Sequence, residues 1–390
     1  MKSWLFRVTV ALLCFTTGVK AYSQEVPCIA FASYSERKGT AQSLRRSVDS
    51  IWESFPDPVA ETNAWTGAFW AMELMLYRPS AADGRLQELL RALPVAAPEF
   101  QRAFLEMLFT LYPGTFTREI QERWASLANA KNQAMALEYL AKDGIFPEIK
   151  PSAPIFGTGW HEAFTRRWHK PKAQKPGIHE FLDPSFLPGQ AVICSFQSEN
   201  RDGPGNLMIR GADGNWLADS SGNPLKIPQL ARSISNLPYY LTNGNTPQGL
   251  FRVNGFAVSK NLWIGPSTNL QMVMPFENEN AFFSGAPNPE GYYRSILGTQ
   301  LNTYPQLWES FQAGKLGRTE IIAHGTTIDP AFYRGQPYYP CTPSLGCLCS
   351  PEIWDEDGCR SASAQAIWIH ALQKQNPLPQ WLIVAEVSDF

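Results

Sequence analysis

The sequence predicts an α+β protein in which an all-α N-terminal unit precedes a mostly β C-terminal unit. Three observations carry this. From about residue 36 to 144 apolar side chains recur every three to four positions, the period of a helix with one buried face. After Gly189 the apolar period falls to two, as in strands. Between the two regimes stand prolines at 147, 151, 154, 171, 176, 184 and 188, which argue against long helices. A chain of 390 residues also exceeds what one core usually holds.

Residues 1–23 read as a secretory signal. Lys2 and Arg7 precede an apolar core over 8–15, and small residues follow near Ala21 and Ser23. The apolar core is too short for a stable transmembrane helix, and Cys14 lacks the small neighbour that lipid attachment requires, so the expectation is export to the periplasm or cell envelope with no membrane span. An uncleaved anchor is the alternative.

The helical unit is assigned to 24–150. Its best-defined segment opens at Pro98, where Phe100, Phe104, Leu105, Leu108 and Leu111 line one face. Proline suits a first helical turn and Gly114 a stop. Similar segments are expected at 41–55, 61–76, 86–93, 118–127 and 132–141, with no fixed-period wording that marks a solenoid. Residues 151–186 form the expected linker. Phe156-Gly157-Thr158-Gly159 lacks the third glycine and the preceding strand of a phosphate loop, and reads as a turn.

Strands are expected at 191–194 and 207–210, the latter followed by an Asp213-Gly214 turn. Residues 249–253 and 256–258 flank Asn254-Gly255 and read as a hairpin. Further strands are expected at 270–275, 319–323 and 381–387, and two helices at 304–312 and 363–373. The 33 basic and 35 acidic residues form no block of like charge, which excludes a nucleic-acid footprint. The 13 tryptophans suit core packing, or else a groove for a sugar-peptide polymer.

Two C-terminal segments carry chemistry: Ala323-His324-Gly325-Thr326 and Ser344-Leu345-Gly346-Cys347-Leu348. A thiol needs a base to form thiolate at neutral pH, and imidazole has the suitable pKa. Upstream stands Thr246-Pro247-Gln248-Gly249-Leu250-Phe251. In this order the three segments resemble the signature of the YkuD-type L,D-transpeptidase family, over about residues 187–390. The resemblance implies a mostly β catalytic domain that acts on peptidoglycan stem peptides, with Cys347 as nucleophile and His324 as base. It also implies that the Gly325 carbonyl holds the imidazole tautomer, that Ser344 and backbone N–H groups around Gly346 and Cys347 orient the turn and face an oxyanion, and that no cofactor is needed. Two positions depart from the family pattern: Leu345 stands where the family has His, and Cys349 where it has Arg. Arg318, Arg334 or Arg360 could supply the missing cation; Arg334, which lies between His324 and Cys347 in the sequence, is the expected one, with Thr326 and Tyr339 as companion substrate contacts. A related carboxypeptidase, a scaffold that has lost activity, or a cysteine peptidase of other specificity stay open.

Six cysteines follow the leader: Cys28, Cys194, Cys341, Cys347, Cys349 and Cys359. In an exported protein an even count invites disulfides, of undetermined pairing, yet a nucleophilic Cys347 must stay reduced. The spacing of the last four is not that of zinc knuckles, and Asp355-Glu356-Asp357-Gly358 lacks a calcium loop's other ligands, so no metal is expected. Two residues apart on a strand, Cys349 and Cys347 share a face. Cys349 either packs or acts as a resolving thiol.

Overall fold

Eight strands make one sheet, in the order β3-β2-β1-β10-β4-β5-β6-β7, in a computed structural model that describes residues 28–390. The strands are β1 (Val192–Gln197), β2 (Gly205–Arg210), β3 (Ile227–Gln229), β4 (Gly249–Val258), β5 (Thr268–Val273), β6 (Ala323–His324), β7 (Leu348–Cys349) and β10 (Trp381–Glu386). β8 (Glu352–Trp354) and β9 (Arg360–Ser363) form a separate hairpin. The two sheet edges approach each other, because Leu230, just past β3, exchanges backbone hydrogen bonds with Cys349 at 2.8 and 2.9 Å. The sheet is therefore nearly closed. The leader expected at 1–23 lies outside the described residues.

Alternation along the strands divides two cores. On β10, Trp381 and Ile383 pack with Phe282, Phe283, Tyr293 and Phe311, while Leu382 and Val384 pack with Leu270, Ala323, Leu348 and Trp368.

The N-terminal part is helical: α1 (Tyr34–Ser54), α2 (Thr62–Met75), α3 (Leu86–Ala92), α4 (Pro98–Leu111), α5 (Thr117–Arg123), α6 (Ala130–Ala141) and α7 (Gly159–His169). Ser33 and Asn129 accept N–H bonds at the starts of α1 and α6, as helix caps do. The core is ring-rich, with Trp52 edge-on to Trp65 at 5.1 Å and Trp65 stacked on Phe69 at 5.5 Å. Among the described residues no helix is long and apolar enough to cross a membrane.

Four expectations change. The proline-rich stretch 151–186 contains α7: prolines bound it but none falls inside, Thr158 caps it, and its Trp168 Nε1 donates to Glu138 at 3.0 Å. Asn254-Gly255 is no hairpin turn. β4 runs through it as one strand with a bulge, the irregularity falling between Val253 and Gly255, where Gly255 takes φ 109°. Two helices stand where no helix was expected, α8 (Glu279–Phe283) and α9 (Pro289–Leu301), capped by Asn278 and Asn288. The expected helix at 304–312 is a 3₁₀ turn followed by α10 (Glu309–Lys315), whereas 363–373 matches α11 (Ala364–Gln373).

The helical and β parts meet along the segment 237–246. Leu237, Tyr240 and Leu241 are buried in the helical core. Tyr240 OH donates to Glu138 at 2.6 Å, Asn243 Nδ2 to Glu106 at 3.1 Å, and Lys131 Nζ to Thr242 Oγ1 at 2.9 Å. A disulfide, Cys28–Cys359, ties the N-terminal segment to the β8–β9 hairpin across 331 residues of sequence.

Candidate active site

β6 and β7 are short parallel neighbours, with Ala323 opposite Leu348 and His324 opposite Cys349. Ala323 and Leu348 turn into the core, so by alternation His324, Cys347 and Cys349 face the other way. Cys347 precedes β7 and stands beside Ile322, whose carbonyl accepts the Leu348 N–H at 3.0 Å. Histidine and candidate nucleophile thus share one face of adjacent strands, offset diagonally. Hydrogen-bond partners of the thiol are the Ile322 N–H and the Glu320 carbonyl, each at 3.5 Å. The imidazole is not among them.

The strand expected over 319–323 is cut short because Glu320 adopts φ 61°, a left-handed conformation that costs a non-glycine residue about 1–3 kcal/mol. Glu277 holds it there, accepting the N–H groups of Glu320 and Met274, each at 2.9 Å. The result presents the Glu320 carbonyl to Cys347.

His324 is buried, and its Nδ1 bonds the Gly325 carbonyl, as the resemblance implies. Nδ1 then carries the proton and Nε2 is the basic atom. Burial lowers the imidazole's proton affinity and the Gly325 bond partly restores it, so the ring is neutral near pH 7. Gly325 has no room for a Cβ, which would meet the Glu352 carboxylate at 2.2 Å. That buried carboxylate accepts from Ser267, Ser363 and the Thr326 N–H. Thr326 Oγ1 contacts the Trp263 carbonyl and the Ile328 N–H, so this expected substrate contact is engaged within the fold.

The turn before Cys347 is built by Ser344 and Gly346. Ser344 Oγ accepts the Gly346 N–H at 3.1 Å and donates to the Cys347 carbonyl at 2.8 Å. Gly346 takes φ 113°, natural only for glycine. Thr246, from the third motif, donates Oγ1 to the Gly346 carbonyl at 2.9 Å. The Gly346 N–H is committed to Ser344.

Among the described residues four cysteines are free, and of these Cys347 alone is partly exposed. Burial pushes the Cys194 thiol up to about 12 and that of Cys341 up to about 11. Cys349 lies buried beside the Thr342 hydroxyl at 3.8 Å, also pushed up by burial, the environment of an inert thiol. Burial raises Cys347 as well, but the Ile322 N–H and the Arg318 charge oppose it; Glu320 and Glu277 reinforce it.

Arg334 and Tyr339 lie exposed in the loop between β6 and β7, and Leu345 is exposed in the turn before Cys347. Arg360 is held by Ser267 at 2.8 Å and Glu352 at 3.5 Å. Arg318 is the arginine at the thiol, packed against Gly346. Arg334, the expected cation, thus stands in an exposed loop while Arg318 packs against the turn, and nothing local in the sequence shows which arginine the chain folds there. Comparison of the chain with protein-family models, curated proteins and solved structures finds no match to any of them.

Proposed function

We propose that the protein is an exported cysteine L,D-transpeptidase of the YkuD type, acting on peptidoglycan stem peptides. One arrangement supports this above the rest: His324 and Cys347 share a face of adjacent parallel strands, with His324 Nδ1 bonded to the Gly325 carbonyl and Nε2 left as the base. The disulfide between Cys28 and Cys359 fits an oxidising compartment.

In this reading His324 Nε2 removes the thiol proton, directly or through one water, and the sulfur attacks the carbonyl at the L-centre of the diamino acid. The Cys347 N–H faces the developing oxyanion. As the C–N bond breaks, the imidazolium returns its proton to the departing D-amino acid, leaving a thioester. An amine from a neighbouring stem then attacks, gives its surplus proton to His324, and forms the new amide as the C–S bond breaks and the thiol is restored. Water in the amine's place makes the enzyme an L,D-carboxypeptidase.

Incubation of the pure protein with defined tetrapeptide stems, followed by mass spectrometry, tests the reaction. Crosslinked dimers that need both Cys347 and His324 are expected. Tripeptides without dimers assign the hydrolytic reaction, and unchanged stems contradict the proposal.

A further inference from the structure

Arg318 is 8% exposed, yet among the described residues no carboxylate lies within ion-pair distance of it. Its guanidinium donates instead to main-chain carbonyls: Nη1 to Tyr239 and, at 2.7 Å, to Asn245, and Nη2 to Gly244. A guanidinium buried without a counter-ion is costly, and carbonyl dipoles offset only part of the loss of water. The cation stands against the nucleophile's turn: a Cβ on Gly346 would come 2.1 Å from Arg318 Nη2. The carbonyls that hold Arg318 belong to the segment 237–246, which the helical unit grips through Glu106, Lys131 and Glu138.

We propose that Arg318 is the fixed cation that stabilises the Cys347 thiolate, and that the helical unit sets its position through the 237–246 segment. The inference rests on Cys347 being the nucleophile. When the thiol proton passes to His324 Nε2, Arg318 is the positive charge already in place for the sulfur. An opposite charge within about 4–6 Å typically lowers an acid's pKa by about 1–3 units, and Arg318 acts on the Cys347 thiol in that direction. Other charges act on the pair as well: Glu106 and Glu309 on Arg318, and Glu320 and Glu277 on the thiol, where they disfavour the thiolate. His324 stands diagonal to Cys347 on β6, and Cys349 shares the Cys347 face. Burial pushes Arg318 down to about 10, so it remains charged at neutral pH. This gives the helical unit a role at the site without contributing a side chain to the chemistry.

The test is the apparent pKa of Cys347 in the full processed chain, from the pH dependence of iodoacetamide alkylation followed on the Cys347 peptide. Arg318→Met should raise it by about one unit or more and slow alkylation at neutral pH about tenfold, with Arg318→Lys in between. Asn243→Ala, which frees the segment from Glu106, should shift it the same way by less. A folded Arg318→Met protein with the wild-type thiol pKa overturns the proposal; a wild-type value in Asn243→Ala overturns the part assigned to the helical unit. If Arg318→Met does not fold, 13Cζ-arginine spectra of the wild type decide. One guanidinium resonance should follow the thiol titration and stop doing so in Cys347→Ser, and no such resonance means the proposal is wrong. Alkylation reads the thiol whether or not stems are turned over, so failure of the transpeptidase reading and failure of this one give different results.

Discussion

Arg318 Nη2 occupies the space beside Gly346 that a side chain would need, with the Gly244 carbonyl on the same side: a Cβ there would meet the two at 2.1 and 2.5 Å. The glycine is also at φ 113°. Gly346→Ala therefore combines left-handed strain with overpacking, and should cost roughly 2–5 kcal/mol. Chemical denaturation measures this. The same variant should lose Cys347 reactivity out of proportion to its stability, since relief requires the turn or Arg318 to move.

His324→Ala should slow alkylation of Cys347 at neutral pH and leave the rate above the thiol's own pKa nearly unchanged, because the base matters only while a proton must be removed. The measurement is the full pH–rate profile. A profile that superimposes on the wild type removes His324 from the mechanism.

Much of this architecture was readable from periodicity and caps, and the exceptions have physical causes. Helices α2, α4 and α6 match their expected spans closely because the apolar period of each is continuous, and α4 and α6 also carry the signals of a helix start, Pro98 and the Asn129 cap. Asn254-Gly255 has the wording of a tight turn, but pairing with β5 on one side and β10 on the other keeps β4 extended, and the glycine becomes a bulge. Glu320 interrupts its strand through the Glu277 carboxylate, a contact no local pattern encodes. At the site, Cys347, His324 and the Gly325 carbonyl followed from wording. Arg318 did not, because its three acceptors come from a segment fixed by another unit of the chain.

The Cys28–Cys359 bridge closes nearly the whole described chain into a loop. Cys359→Ser, or reduction of the wild type, should lower stability by about 2–5 kcal/mol. Thermal unfolding with and without reductant checks it. The partly exposed Cys347 should alkylate at the same rate in both states, since the bridge lies in the separate β8–β9 hairpin.

Stability should fall as pH rises from about 4.5 to about 8. Burial pushes Glu106 up to about 7 and Glu309 up to about 8, the latter helped by repulsion from Glu386. Between the ordinary 4.5 and those values the folded protein holds protons that the unfolded chain has released, so raising the pH favours unfolding. His324 acts oppositely: its lowered proton affinity removes stability as pH falls through 6.5. Two carboxyls outweigh one imidazole here. Melting temperatures across this range test the sign, and Glu106→Gln should flatten the slope.

As an acylating nucleophile, Cys347 should be tagged covalently by a carbapenem, which the intact mass of the protein shows with the Cys28–Cys359 disulfide left closed. One adduct should form, map to the Cys347 peptide, vanish in Cys347→Ala and form more slowly in His324→Ala. A wild-type protein that stays unmodified with its Cys347 thiol reduced, or an adduct that survives Cys347→Ala, contradicts that role.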